Sequence, residues 1–257
     1  MIVDLWDAGT MPHARDDDSA TPYLEVLLPP AEHATGGAAL ILPGGAYTFL
    51  SEKSGVQYAR WLATEGIAGI VVNFRLGSAG HRYPALLADA WQALDQVRAH
   101  AEAWNIAPDR IAVMGSSAGA HLATMMLTGM LPDDRPRQRP ALGVLCYPVV
   151  SMTDPLAHAE TRENFLGDLS ADPQAQARFS AELRVDGQVP PCFLWHTLDD
   201  KEVTAANALT FAAALQAAEI PYELHVYESG PHALGLARNA GLHWTADCAR
   251  WLHSHEF

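Results

Sequence analysis

The apolar run Arg110-Ile111-Ala112-Val113-Met114 passes directly into Gly115-Ser116-Ser117-Ala118-Gly119 and then into a helix-like stretch. No other feature constrains the fold as tightly. A strand that turns at once into a helix packs backbone against backbone, and glycines flank the central serine because a Cβ would collide there. Such a turn lifts Oγ of Ser117 above the carboxyl edge of a sheet, where a hydroxyl acts as a nucleophile once a base reaches it. Taken alone, a G-x-S-x-G is also an ordinary Gly/Ser turn. The chain has to supply the partners.

Strand-like and helix-like stretches alternate along most of the 257 residues. Strands are expected over 23–28, 38–42, 67–74, 110–114, 142–147, 192–196 and 222–227. Helices are expected from Pro84 to about Trp104, then over 118–130, 204–218 and 242–253, the first opened by a proline whose missing N–H has no helical partner there. This pattern predicts an α/β fold: one domain spanning 1–257, with a mainly parallel sheet covered by helices on both faces. Between about 150 and 190 the pattern loosens into Asp, Pro and Ser with short helical pieces, and reads as an insertion over the carboxyl edge, where such folds bind ligands.

Composition removes several classes of function. The formal charge is -14, and Lys53 and Lys201 are the only lysines among sixteen basic residues, so no basic stripe is available to track phosphates and nucleic acid is not an expected partner. The N-terminus lacks a basic segment followed by an apolar one, and no apolar run reaches membrane-spanning length. Cys146, Cys192 and Cys248 are odd in number, widely separated and set in apolar segments, which predicts buried free thiols rather than disulfides or a metal site. These features together lead to the expectation of a cytoplasmic protein without a membrane partner, a metal or a cofactor.

A nucleophilic serine at an elbow calls for a carboxylate and then a histidine further along the chain. His232 lies in Ser229-Gly230-Pro231-His232, just past the last expected strand, and Asp199 and Asp200 lie just past the strand that contains Trp195 and His196. Each falls at the carboxyl end of a strand, on the edge that holds Ser117. Neutral His232 would take the serine proton through Nε2, while the carboxylate accepts the Nδ1 proton and stabilises the imidazolium. Asp154 is a weaker candidate for the acid. His121, four residues after Ser117, is expected beneath the nucleophile as a packing residue. His196, His225 and His243 have no comparable case, and His253 and His255 read as solvated.

The sequence resembles the α/β-hydrolase superfamily, and within it the bacterial acetyl esterases grouped with acetylxylan and feruloyl esterase-like enzymes and related to hormone-sensitive lipase. The resemblance runs nearly end to end. It is carried by Leu42-Pro43-Gly44-Gly45-Ala46-Tyr47, Asn73-Phe74-Arg75-Leu76, the elbow with its continuation to Ala123, Arg162-Glu163-Asn164-Phe165-Leu166-Gly167, the segment from Leu194 to Val203, and Gly230-Pro231-His232-Ala233-Leu234-Gly235-Leu236. In that family the acid precedes x-x-Val, which selects Asp200 over Asp199. The same pattern places an oxyanion hole in the turn from Pro43 to Tyr47, with the amides of Gly45 and Ala46 joined by that of Ala118 as donors. The chain departs from the usual pattern at Ala46, Ala120 and Ala233, where glycine is common, and the Ala46 methyl is expected to narrow the pocket.

The resemblance implies a cofactor-free serine esterase that removes short acyl groups, acetyl foremost, from a small-molecule or oligosaccharide ester. Its catalytic residues would be Ser117, Asp200 and His232. Tyr47, Arg75, Arg162 and Trp195 are candidates for shaping the substrate site, although Arg75 has the alternative of bracing Asp89, and Trp195 that of filling the core. An amide or peptide hydrolase of the same superfamily and a non-catalytic binding protein are the competing readings. The alcohol part of the substrate and the oligomeric state stay open.

Overall fold

The computed structural model describes residues 1–16 and 21–257. Among them, eight strands form one sheet: β1 (Ile2–Asp4), β2 (Tyr23–Leu27), β3 (Ala38–Leu42), β4 (Ala68–Asn73), β5 (Ile111–Ser116), β6 (Leu142–Cys146), β7 (Cys192–Thr197) and β8 (Tyr222–Tyr227). Their order across the sheet is β1-β2-β4-β3-β5-β6-β7-β8. The two pairings made by β2 are antiparallel and all those from β4 to β8 are parallel. Parallel strands joined by helical crossovers are covered on both sides, which is why β3 and β5 are apolar at nearly every position and buried at all of them.

Pleating sends successive side chains to opposite faces. Leu40, Leu42, Ile111 and Val113 join one core, whereas Ile41, Ala112 and Met114 join the other. The first core is closed by α2 (Ala85–Ala99), α3 (Ala118–Leu127) and α6 (Ala206–Ala217), through residues such as Trp91, Leu122 and Phe211. The second is closed by α1 (Val56–Thr64) and α7 (Trp244–Ser254), through Tyr58, Leu62, Trp244 and Leu252. The stretch between β6 and β7 holds α4 (Ala159–Leu166), α5 (Pro173–Arg178) and short 3-10 turns. No helix among the described residues is long and apolar enough to cross a membrane.

Two elements fall outside the sequence expectations. β1 has three residues, too few to display a period, and exists through its pairing with β2. Helix α1 has nine residues, a length that is marginal in isolation, and is held by docking on β4, where Gly69 lets it approach the strand. The expected helix from Pro84 ends at Ala99, short of Trp104. Cys146, Cys192 and Cys248 are buried free thiols, and burial pushes those of Cys146 and Cys192 up to about 12, leaving them unreactive.

Candidate active site

Ser117 stands between β5 and α3 with φ 52 and ψ -122, a conformation that costs an L-residue about 1–3 kcal/mol and persists only where the surroundings enforce it. The surroundings here are backbone. The Ser117 amide donates to the Cys146 carbonyl at 3.1 Å, its own carbonyl accepts from the Val149 amide at 3.1 Å, and a Cβ at Gly119 would collide with the Leu42 and Pro43 carbonyls. The ends of β3 and β6 therefore grip the turn from both sides and hold the hydroxyl at the sheet edge.

His232 and Asp200 reach that hydroxyl from the ends of β8 and β7. His232 Nε2 lies 2.8 Å from Ser117 Oγ, and its Nδ1 lies 2.6 Å from Asp200 Oδ2. The other carboxylate oxygen of Asp200 accepts the amides of Glu202 at 2.9 Å and Val203 at 3.0 Å. Burial raises the Asp200 pKa, but hydrogen bonds from His196, His232 and the Val203 amide outweigh it and hold the carboxyl well below its usual range. An ionised Asp200 only accepts, so the His232 proton sits on Nδ1 and Nε2 is free to receive the serine's.

His196, given no role by the sequence, completes this arrangement. Its Nε2 donates to the Val203 carbonyl at 2.8 Å and lies 3.3 Å from Asp200 Oδ2, the oxygen that also meets His232, so it helps to brace the acid. Asp199 points elsewhere and accepts from the Gly230 amide at 2.7 Å and from Ser229 Oγ at 2.8 Å. It ties down the loop that presents His232.

The turn after β3 has three consecutive residues of positive φ: Gly45 (132), Ala46 (54) and Tyr47 (60). At Gly45 a Cβ would strike the Phe49 carbonyl, so glycine is required there on two grounds. The Gly45 carbonyl accepts the amides of Thr48 and Phe49, and Asn164 Nδ2 on α4 donates to the Ala46 carbonyl at 2.9 Å. The amides of Gly45, Ala46 and Ala118 have no acceptor among the described residues.

Beside Ser117 lies a cavity of about 170 Å³, walled by Gly45, Ala46, His232, Tyr147, His158, Glu160 and Glu202, among others. The last four are absent from the sequence-level assignment. Tyr147 is buried with φ 36, and its ring lies 5.1 Å from that of His232 in an edge-on contact. His158 and Glu160 come from the start of α4, so the segment read as an insertion does contribute to the wall.

The four residues proposed from sequence to shape the substrate site are placed elsewhere, and none lines this cavity. Tyr47 is buried beneath the turn, stacked on Phe165 with its hydroxyl 2.9 Å from His121 Nδ1. Trp195 faces the core and stacks on Trp244 at 5.0 Å. Arg75 is buried and paired with both oxygens of Asp89 at 2.8 and 2.9 Å, and it donates to the Pro12 and Ala85 carbonyls as well, so the bracing alternative describes it. Arg162 pairs with Asp154 at 3.2 Å and donates to the Met152 carbonyl at 3.2 Å, holding the insertion together.

His121 is fully buried under the elbow. Nε2 faces the Phe179 carbonyl at 2.9 Å, which only accepts, so the proton is on Nε2, and Nδ1 accepts from the Tyr47 hydroxyl. Burial lowers its pKa from the ordinary 6.5 to about 4. In that range the unfolded chain binds a proton that the folded chain refuses, so stability falls as pH drops from 6.5 towards 4 and levels off below. From pH 7 to 5 this residue should remove ~2 kcal/mol. Urea unfolding at the two pH values should show a smaller loss in His121→Gln than in the parent; equal losses would refute the assignment.

A model of the α/β hydrolase fold matches residues 39–236. The chain is 34% identical over 243 residues to an acetylxylan esterase of Xylanibacter ruminicola, covering 92% of this chain and 49% of that protein. It is 29% identical over 211 residues to endo-1,4-beta-xylanase B of Butyrivibrio fibrisolvens, covering 78% of this chain and 33% of that protein. The chain thus spans about half the length, or less, of these curated relatives. Among solved structures, an acetyl ester-xyloside bifunctional hydrolase of Caldicellulosiruptor lactoaceticus superposes with a TM-score of 0.91 at 34% identity, covering 100% of this chain and 97% of that one. With its serine elbow between β5 and α3, its parallel sheet and a family match over most of its length, the chain belongs to the α/β hydrolases.

Proposed function

We propose that this chain is a serine carboxylic-ester hydrolase that removes short acyl groups, acetyl foremost, from a carbohydrate or other alcohol through an acyl-enzyme. One observation carries the reading: an uninterrupted relay in which Ser117 Oγ is 2.8 Å from His232 Nε2, and His232 Nδ1 is 2.6 Å from an ionised Asp200, beside three amides without acceptors among the described residues. As Oγ attacks the ester carbonyl, His232 takes its proton and Asp200 stabilises the imidazolium. The charge on the carbonyl oxygen would grow beside the amides of Gly45, Ala46 and Ala118, a reading supported by their lack of acceptors among the described residues. His232 then protonates the departing alcohol, and a water molecule, deprotonated by the same imidazole, releases the acid and restores Ser117.

The names of the relatives support the choice of acyl group and alcohol, since an acetylxylan esterase and an acetyl ester-xyloside hydrolase are both similar to this chain over nearly its whole length. The substrate would be a small-molecule or oligosaccharide ester. The three buried free thiols suit a reducing, cytoplasmic setting.

The small, partly polar cavity sets the expected acyl preference. An apolar channel open to long chains gains roughly 0.8 kcal/mol for each methylene it buries, so its rates climb with chain length. Here the cavity measures about 170 Å³, too small to be such a channel. Across p-nitrophenyl acetate, butyrate, octanoate and palmitate, kcat/KM should be highest for acetate and at least about tenfold lower by octanoate. A maximum at octanoate or beyond would overturn the short-acyl assignment.

A further inference from the structure

Among the polar side chains in the wall of the cavity beside His232 that the reaction described above does not use are His158, Glu160 and Glu202. His158 is the N-cap of α4: its Nδ1 accepts the backbone amide of Thr161 at 3.3 Å and lies 2.9 Å from Thr161 Oγ1, a hydroxyl that can donate to it as well. A backbone N–H can only donate, so Nδ1 holds no proton in this arrangement and the neutral ring must carry its proton on Nε2. That N–H has no acceptor among the described residues, although the ring is half-buried and shares a cavity with Ser117 and His232. Glu160 is fixed from the other side: Thr48 Oγ1 donates to one carboxylate oxygen at 2.7 Å, leaving the second to accept. Glu202 follows Asp200 by two residues, on the loop that presents the acid.

We infer that these three side chains form a binding subsite for the alcohol part of the ester, in which the Nε2–H of His158 donates to a hydroxyl or ring oxygen and Glu160 and Glu202 accept hydroxyl protons. The inference rests on the esterase reading and deepens it by naming the side chains that would select a neutral polyhydroxylated alcohol over an acidic one. Two physical arguments favour this class. The leaving alcohol must receive its proton from His232, so it departs from the side of the cavity where His158 and Glu202 stand. A lysine or arginine as the donor would also oppose the positive charge that His232 acquires in the transition state, whereas a neutral imidazole N–H does not. Burial first, and then the nearby His232, push the His158 pKa down against the opposite pull of Glu160, Glu202 and Asp200. Two carboxylates in the same wall repel an alcohol that carries a carboxylate of its own.

The test compares an acetylated neutral methyl glycoside with ethyl acetate, whose alcohol has no further hydroxyl. His158→Asn preserves a good N-cap on α4 but is too short to reach a substrate, whereas His158→Ala loses both cap and donor. Both variants should lower kcat/KM for the glycoside by about tenfold, mostly through KM, as expected for one hydrogen bond made in ground and transition states alike. Ethyl acetate should change by less than about twofold in His158→Asn, and melting temperature should fall only in His158→Ala. The double variant Glu160→Gln/Glu202→Gln should improve turnover of an acetylated uronic acid relative to the neutral glycoside. Retention of the glycoside rate in His158→Asn would overturn the donor role, and equal losses on both esters would reduce His158 to a helix cap. A parent protein that cleaves neither ester would instead sink the esterase reading, so the two failures are distinct.

Discussion

Replacing Ser117 with alanine is expected to lower kcat by about a millionfold while leaving the fold unchanged. The size follows from the geometry. The elbow exists to hold one hydroxyl 2.8 Å from His232 Nε2, and among the described residues no other hydroxyl makes a hydrogen bond to that nitrogen. Ser116 shows this from one position away: it is fully buried, and its Oγ donates to the Tyr58 hydroxyl at 3.3 Å on the opposite face of the strand. Ser116→Ala should therefore keep most of the activity. Thermal unfolding of Ser117→Ala would verify that the fold survives, and relief of the backbone strain is not expected, because alanine must adopt the same positive φ. Substantial activity in purified Ser117→Ala, above that of a mock preparation, would remove the basis of the mechanism. A fluorophosphonate should label the parent on the peptide that contains Ser117 and fail to label the variant.

Asp200→Asn should cost about ten-thousandfold in kcat, the magnitude seen when the acid of a triad is replaced by its amide. Asn turns an amide hydrogen towards Nδ1 of His232, which must then accept it. The imidazole proton moves to Nε2, where it faces Ser117 and blocks proton abstraction. His196 gives the substitution a second consequence, because its N–H, now shared between the Val203 carbonyl and Asp200, loses one of its two acceptors if the Asn amide group faces it. Asp199→Asn should cost about tenfold at most, since Asp199 holds the Gly230 amide and Ser229 rather than the histidine itself. Measuring kcat for both variants with one acetyl ester decides between the two carboxylates. The reverse ranking would transfer the acid role to Asp199.

The elbow and the turn after β3 were legible because their chemistry is local. Positive φ and close backbone approach must be met within five residues: both exclude a Cβ at Gly45, and close approach excludes one at Gly119. The alternation of apolar runs with amphipathic stretches carried the sheet for a similar reason, since strands covered on both faces are mostly apolar. Short elements escaped notice: β1 and α1 have too few residues to state a period, and they form through docking on β2 and β4.

Asp200 and His232 were within reach of the sequence because each follows a strand on the edge that holds Ser117. Choosing Asp200 over Asp199 needed the family pattern, as two adjacent carboxylates carry no local mark of which way they turn. Asn164, His196, His158 and Tyr147 carried no such signal as site residues. His196 braces the acid because the loop after β7 folds back and brings Asp200 and Val203 to its ring, and His158 reaches the cavity because α4 folds back over the turn after β3, tied to it by Asn164 and Glu160. Arg75 marks the same boundary from the other side: the sequence allowed it a substrate or a partner, and the packing of α2 against the sheet delivered Asp89 to its guanidinium. By itself, then, the sequence determined the elements, the elbow and the edge on which the chemistry would assemble, because backbone stereochemistry and hydrophobic period act over a few residues. Which histidines serve that chemistry was decided only by strand order and helix docking, because an imidazole takes its proton state and its role from partners that the chain brings together only on folding.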